Sequence, residues 1–247
     1  MSIFIRKAVE ADIPAMAALD VAGYRHSAFR AAMFPPERRV RPGDGDALEW
    51  FERGARRALS SPCPMTHYIV AVAQGEVGDA DGDGSQNRET TAVVGMAIWG
   101  SPRPDVDAAT AVQGEEATRR SGGPPPGLPS YIGYEPVMAA NEEIQTMLDA
   151  QDVLDKKTRS AMWNLDAVVV DQGHRRKGVG RALVQWGVDR AAEEGKGVWL
   201  IATSDGQRLY DAMGFSLVDS GARCGEAQHI MFRDLGHGGV APPATDS

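Results

Sequence analysis

Cysteine is scarce: the 247 residues hold two, Cys63 and Cys224. Neither a disulfide framework nor a multi-cysteine metal site can be built from so few, and two reduced thiols in a cytoplasmic setting is the expectation. Long apolar runs are missing as well, since none approaches the ~20 residues of a membrane helix. The opening MSIFIRKAVEAD lacks the apolar stretch and small-residue cleavage site of a secretory leader. Positive charge is in deficit. With 26 Lys and Arg against 34 Asp and Glu, the net charge is −8, the wrong sign for a partner made of phosphates. The histidines, His26, His67, His174, His229 and His237, show no metal-ligand spacing. Nucleic acid, membrane and metal are therefore not expected partners. What remains is a chain with a 43% hydrophobic and 24% charged composition, ordinary for a soluble globular protein and long enough for a sizeable core.

Residues 3–8 alternate like a strand and run into Glu10-Ala11-Asp12-Ile13-Pro14, where Asp12 is the expected N-cap and the proline fits the first turn. An Ala-, Met- and Leu-rich helical stretch follows to about residue 32, in one piece or two. It ends at Phe34, which Pro35 biases away from helical geometry. A helix is expected over 46–59, with Leu48, Phe51 and Ala55 on one face. Strands rich in Val, Ile and aromatics follow at 67–74 and 90–100, joined by a long Gly- and Asp-rich loop. Within that loop, residues 79–84 start like a calcium-binding hand. The twelfth position is Thr90, however, where a bidentate Glu is required.

Residues 101–130 carry SGGPPPGLPS and read as a flexible stretch. Residues 135–161 read as helical, either a lid or a packing layer, so that 101–160 forms an insertion. The last third then gives a strand over 163–170, an amphipathic helix over 178–194 and a short strand over 198–202. A short helix over 207–213 is stopped by Gly214, and closing strands are expected over 215–219 and 228–233. The tail beyond 235 is expected to be disordered. The grouping Arg30, Arg38, Arg39 and Arg41 reads as solvated surface.

The chemistry is carried by VVVDQGHRRKGVGRAL, residues 168–183: an apolar strand, a basic loop with glycines and a helix start. A helix N-terminus presents unpaired N–H groups and the positive end of its dipole, which makes an anion site. Gly178 and Gly180 let a bulky anion approach the backbone. Arg175, Arg176, Lys177 and Arg181 add positive charge. A P-loop is excluded because Val179 and Gly180 stand where Lys and a hydroxyl residue are required. A dinucleotide fingerprint is excluded because Leu183 replaces its third small residue.

The remaining pattern, [QR]-x-x-G-x-[GA] after an apolar strand, is met by Arg175, Gly178 and Gly180. It resembles the acetyl-CoA loop of the GNAT N-acetyltransferases. Leu209 to Phe215 (LYDAMGF) is similar to that family's second signature, Y-x-x-x-G-F, and VGMAIW near Val93 is similar to its strand before the loop. The resemblance covers roughly 3–100 and 161–235, in a layout closest to puromycin N-acetyltransferase-like enzymes and their fungal relatives. It implies an α/β (α+β) fold over residues 1–235, with a mixed, mostly antiparallel twisted sheet of six to seven strands flanked by helices.

The resemblance also implies acetyl-CoA as cosubstrate and a small-molecule amine as acceptor, which attacks directly in a ternary complex. Backbone at Val168, Val169 and Val170 would hold the pantetheine arm, and amides from Lys177 through Val179 to Gly180 the pyrophosphate. Tyr210 would protonate the departing thiolate. Many relatives carry a glutamate base after the leucine of the strand before the tyrosine helix. Here that position is Ile201, and Asp166 is the substitute, with a structural hydrogen bond as its other reading. Two alternatives stay open: N-acetylation of a protein or peptide, and a non-catalytic acyl-CoA-binding module.

Overall fold

The computed structural model describes residues 2–61, 65–77, 88–103 and 123–235. Cys63, the calcium-like segment at 79–84, His237, most of the stretch read as flexible and the tail all lie outside these residues.

Seven strands form one open sheet in the order β1-β2-β3-β4-β5-β7-β6. The first four, β1 (Ser2–Lys7), β2 (Thr66–Val77), β3 (Arg88–Gly100) and β4 (Trp163–Val170), pair antiparallel in sequence order. The last three, β5 (Val198–Thr203), β6 (Ser216–Arg223) and β7 (Glu226–Arg233), make a second antiparallel group. The groups meet along the parallel β4–β5 pair. The expected mixed, mostly antiparallel sheet is therefore present.

Helices α1 (Ile13–Gly23), α2 (Ala28–Met33) and α3 (Gly45–Leu59) precede β2. The N-terminal helical stretch is thus two pieces. Asp12 ends a 3-10 turn and does not cap α1 with its side chain. Its carboxylate instead accepts from the Val9 N–H at 2.8 Å and from Arg6 at 2.6 and 2.9 Å, pinning the end of β1 to the start of α1. Helices α4 (Tyr134–Asp149) and α5 (Lys156–Ser160) occupy the described part of the insertion. Helix α6 (Val179–Glu193) follows β4, and α7 (Ser204–Asp211) follows β5. The tyrosine helix begins three residues earlier than its sequence suggested, because Thr203 accepts from the Gly206 N–H and sets its start.

Side-chain alternation along the strands sorts three apolar clusters onto two faces. On one face α6 and α7 pack Leu183, Val184, Val188 and Tyr210 against Trp99, Leu165, Leu200 and Ala202. On the other, α1 and α3 pack Ile13, Met16 and Phe51 against Val70, Met96 and Val169 of the four-stranded half. Beside them on that face, Met147, Leu148 and Leu154 from the α4–α5 region cover Ile230 and Phe232 of the three-stranded half. Between these two helical layers lies α2, whose Ala28 N–H donates to Glu226 of β7 and whose Phe29 stacks on Arg223 of β6.

Candidate active site

The site begins with a break in the sheet. Parallel pairing of β4 and β5 covers only Trp163–Val198, Asn164–Trp199 and Leu165–Leu200. Past Leu165, β4 keeps its antiparallel partner β3 through Val170, while β5 keeps β7 through Thr203. The two inner edges, Asp166–Val170 and Ile201–Thr203, therefore face a gap with no ladder between them. Such an edge is a row of backbone donors and acceptors without partners, able to take an extended polar chain. A bulge starts the divergence: Ala167 pairs with Ile98 and Leu165 with Trp99, so Asp166 is the extra residue on β4. A bulge bends its strand and re-aims a side chain, and here the side chain is a carboxylate.

At the far end of β4 the basic loop forms as the sequence predicts. Asp171 accepts from the Gly173 N–H at 3.0 Å and bonds the His174 ring at 2.8 Å, so it lies below the usual carboxylate range. Arg176 and Gly178 both have left-handed backbone, at φ 59° and φ 81°. Gly178 starts α6 without a side-chain cap, and a Cβ built on it would meet nothing within 4 Å. The first N–H groups of α6, at Val179, Gly180 and Arg181, precede the helix's own hydrogen-bond ladder, as at any helix start.

Arg175, Arg176 and Lys177 are exposed around it. Arg175 Nε donates to the Val170 carbonyl at 3.2 Å, tying the loop to β4. Arg181 donates to the Ala212 carbonyl at 3.0 Å, so it braces the end of α7 as well as adding charge. Of the strand residues, Val168 and Val170 pack toward α6, and Val169 toward α1.

Tyr210 is buried on α7, edge-on to Phe215 with ring centroids 5.8 Å apart. Burial, and then the nearby Tyr24, raise its phenol well above the ordinary value, so it is fully protonated at neutral pH. Tyr24, at the end of α1, is itself pushed up to about 12 by burial and by the carboxylates of Asp20 and Asp166. These mutual effects put Asp166, Tyr24 and Tyr210 within electrostatic reach in sequence, with Tyr24 between the other two. The side chain of Asp166 is open to the water of the cleft but walled by protein. That desolvation raises its carboxyl above the usual range, against the opposing pull of the Asn164 amide at 2.5 Å and of the Arg103 charge.

On the helical face beside the gap lies a cavity of roughly 520 Å³. Asp166, Tyr24 and Tyr68 line it near β4, Ile201 and Trp199 near β5, and Arg223 at the end of β6. Asp20 and Arg30 also line it as an ion pair. Arg30 is therefore not solvated surface: its side chain is 18% exposed and neutralises Asp20 inside the wall. Arg41 likewise engages Asp46, at 3.0 Å. Sequence reasoning missed Tyr24, Tyr68, Asp20 and Arg223, which come from three elements, α1, β2 and β6, and share no motif. Among the described residues no cluster of three or more His, Cys, Asp or Glu side chains could hold a metal ion, and no helix is long and apolar enough to cross a membrane.

Comparison with known proteins agrees with this geometry. Residues 137–217 match the family model of the acetyltransferase (GNAT) domain. No curated protein sequence matches the chain. A Corynebacterium glutamicum structure described as histone acetyltransferase HPA2 and related acetyltransferase aligns with a TM-score of 0.53 at 20% identity, over 100% of this chain and 99% of that one. Drosophila melanogaster polyamine N-acetyltransferase aligns with a TM-score of 0.57 at 16% identity, over 95% of this chain and 100% of that one. An N-acetyltransferase from Staphylococcus aureus aligns at 0.50 and 12% identity, over 93% and 100%. The open seven-stranded sheet, split between β4 and β5 and flanked by helices, is the GNAT fold.

Proposed function

We propose that this protein transfers the acetyl group of acetyl-CoA to a small-molecule amine, by direct attack with both substrates bound. The observation that carries the reading is the ladderless gap between β4 and β5, flanked by the uncapped start of α6 at Gly178 and opening onto a walled cavity. The residues present fit the cosubstrate. The edge backbone at Val168, and the N–H of Val170, whose carbonyl takes Arg175, suit the amides of a pantetheine arm, and the uncapped start of α6 with Arg175, Arg176 and Lys177 suits a pyrophosphate. When bound, acetyl-CoA supplies an activated thioester.

The chain's own residues do the rest. The cavity holds the amine beside the gap, and proximity supplies much of the rate. The nitrogen lone pair forms the new bond to the carbonyl carbon while Asp166 takes the amine proton, directly or through a water. A backbone N–H of the diverging β4 edge stabilises the oxyanion. As the C–S bond breaks, Tyr210 gives its proton to the thiolate. A thiol near pKa 8.5 is a tolerable leaving group, so this proton assists the reaction without being indispensable. Ile201 stands where a glutamate base is common in the family. Asp166, raised by desolvation, is a stronger base than an ordinary aspartate and occupies the adjoining strand.

The volume of the cavity suits a small acceptor, and the layout resemblance to puromycin N-acetyltransferase-like enzymes points the same way. Calorimetric titration of acetyl-CoA into the wild type and Gly178→Glu tests the reading. Saturable binding lost in the variant is the expected result, because the new side chain carries negative charge to the start of α6. Absence of binding to the wild type overturns it, together with the acetyltransferase assignment.

A further inference from the structure

The cavity beside the gap is not electrically uniform. Asp20 is neutralised by Arg30, which leaves two charged groups on its wall without an ion-pair partner among the described residues. One is Asp166, on β4. The other is Arg223, at the far end of β6.

Arg223 is held as a built feature. Its guanidinium carbon lies 3.2 Å from the centroid of the Phe29 ring, and one Nη donates to Asn141 at 3.0 Å. Two carboxylates lie near it, and neither forms an ion pair with it, although the Glu143 charge acts on it. Glu143 accepts from the Cys224 N–H at 2.7 Å, and Glu226 from the Ala28 N–H at 3.0 Å. Among the described residues, Arg223 Nε is buried without a hydrogen-bond partner, so it is the Nη end of the guanidinium that Arg223 can offer to the cavity it lines. A guanidinium stacked on an aromatic ring with N–H groups to spare is the group best shaped for a planar carboxylate.

From this arrangement we infer that the acceptor is an amine that also bears a carboxylate, with the carboxylate held by Arg223 and the amine presented to Asp166. The inference rests on the acetyl-transfer reading and names its acceptor class. The sheet order β4-β5-β7-β6 puts three strand steps between the strands that carry the two groups, the first widened by the gap, and Arg223 lies four residues along β6 beyond Asp219, which stands level with Ile201, so the backbones are separated by more than the ~14 Å of three regular spacings. An arginine side chain shortens that span without closing it. The reactive amine is therefore several bonds from the carboxylate, as in an ω-amino acid, and is not the α-amine of a short one. Arg223 acts as a specificity determinant remote from the reacting atoms.

The test compares each acid with the amine that lacks its carboxylate: lysine against cadaverine, ornithine against putrescine, γ-aminobutyrate against butylamine. For wild type, Arg223→Met and Arg223→Lys, kcat/KM is measured from CoA thiol release, and binding of each compound is measured by calorimetry without acetyl-CoA. Melting curves exclude a folding defect, and Arg223→Lys keeps the charge if the methionine variant does not fold. The wild type is expected to favour the acids. That preference should fall about 10- to 100-fold in Arg223→Met, the weight of a charge-assisted hydrogen bond, and partly in Arg223→Lys. Equal use of acid and amine, or a preference that survives Arg223→Met, overturns the inference while leaving acetyl transfer intact. Acids that bind through Arg223 without being acetylated leave the anchor standing and overturn the transfer reading. Neither binding nor turnover of any acid overturns the anchor.

Discussion

The indole of Trp99 lies directly against Gly187: a Cβ on that glycine would fall 2.3 Å from Cε2 and 2.4 Å from Cζ2. Trp99 is fully buried in β3, and its Nε1 donates to the Leu183 carbonyl of α6 at 3.4 Å. The helix that follows the basic loop is thus seated on the sheet by a tryptophan that tolerates no side chain opposite it.

Gly187→Ala should therefore destabilise the protein by about 1–3 kcal/mol through overpacking, although alanine is the better helix former by about 1 kcal/mol. Gly54→Ala in α3 is the contrast, since nothing lies within 4 Å of the added Cβ. It should stabilise by roughly 0.5–1 kcal/mol. Urea unfolding of both variants beside the wild type measures the difference in sign. Two shifts of the same sign would mean that the contact between α6 and Trp99 is not what seats the helix.

Tyr210 is protonated at neutral pH, because burial raises its phenol. Tyr210→Phe removes the proton and keeps the ring against Phe215. The expected loss in kcat is about 10²- to 10⁴-fold, with the melting temperature and the affinity for acetyl-CoA little changed. A variant that loses cosubstrate affinity and keeps kcat would assign the tyrosine to binding instead.

Asp166 gives a pH signature with a definite sign. Its carboxyl is raised, so on the proposed reading it works as a base when ionised and fails as pH drops through a value above the ordinary ~3.9. The acid limb of kcat/KM should lie at that raised value in the wild type and vanish in Asp166→Asn, with activity reduced throughout. The Asp166 charge also raises Tyr24 and Tyr68. Spectrophotometric titration of Asp166→Asn should therefore show tyrosine ionisation beginning at lower pH than in the wild type. If the titration is unmoved, the carboxylate is not where the tyrosines sense it.

The local structure of one continuous stretch of the candidate site was legible in the sequence. Residues 168–183 state their structure locally, because an apolar strand, a left-handed glycine and a helix start need no distant partner to be recognised. Tyr210 was legible for the same reason, fixed by its distance from that loop and by Phe215. The cavity was not. Tyr24, Tyr68, Asp20 and Arg223 sit on α1, β2 and β6, and only the folded sheet brings them to one wall. Arg30 misled because a run of arginines reads as surface, and its partner Asp20 lies ten residues earlier in the preceding helix, where nothing in the pattern links them. Asp12 misled differently: its position is that of a cap, but Arg6 and the Val9 N–H outcompeted the helix for its oxygens.

Three residue pairs are all that stitch the four-stranded and three-stranded halves of the sheet together. Mechanically this is a crack with a short uncut ligament at Trp163–Leu165, and a load that pries the halves apart concentrates at its tip, beside Asp166. On one face α6 and α7 bridge the crack, packing on Leu165 of one half and on Leu200 and Ala202 of the other. On the proposed reading, an extended amide chain lying in the gap replaces the missing rungs. The loaded molecule is then a stiffer plate than the empty one, and each turnover briefly returns the protein to its weakest form.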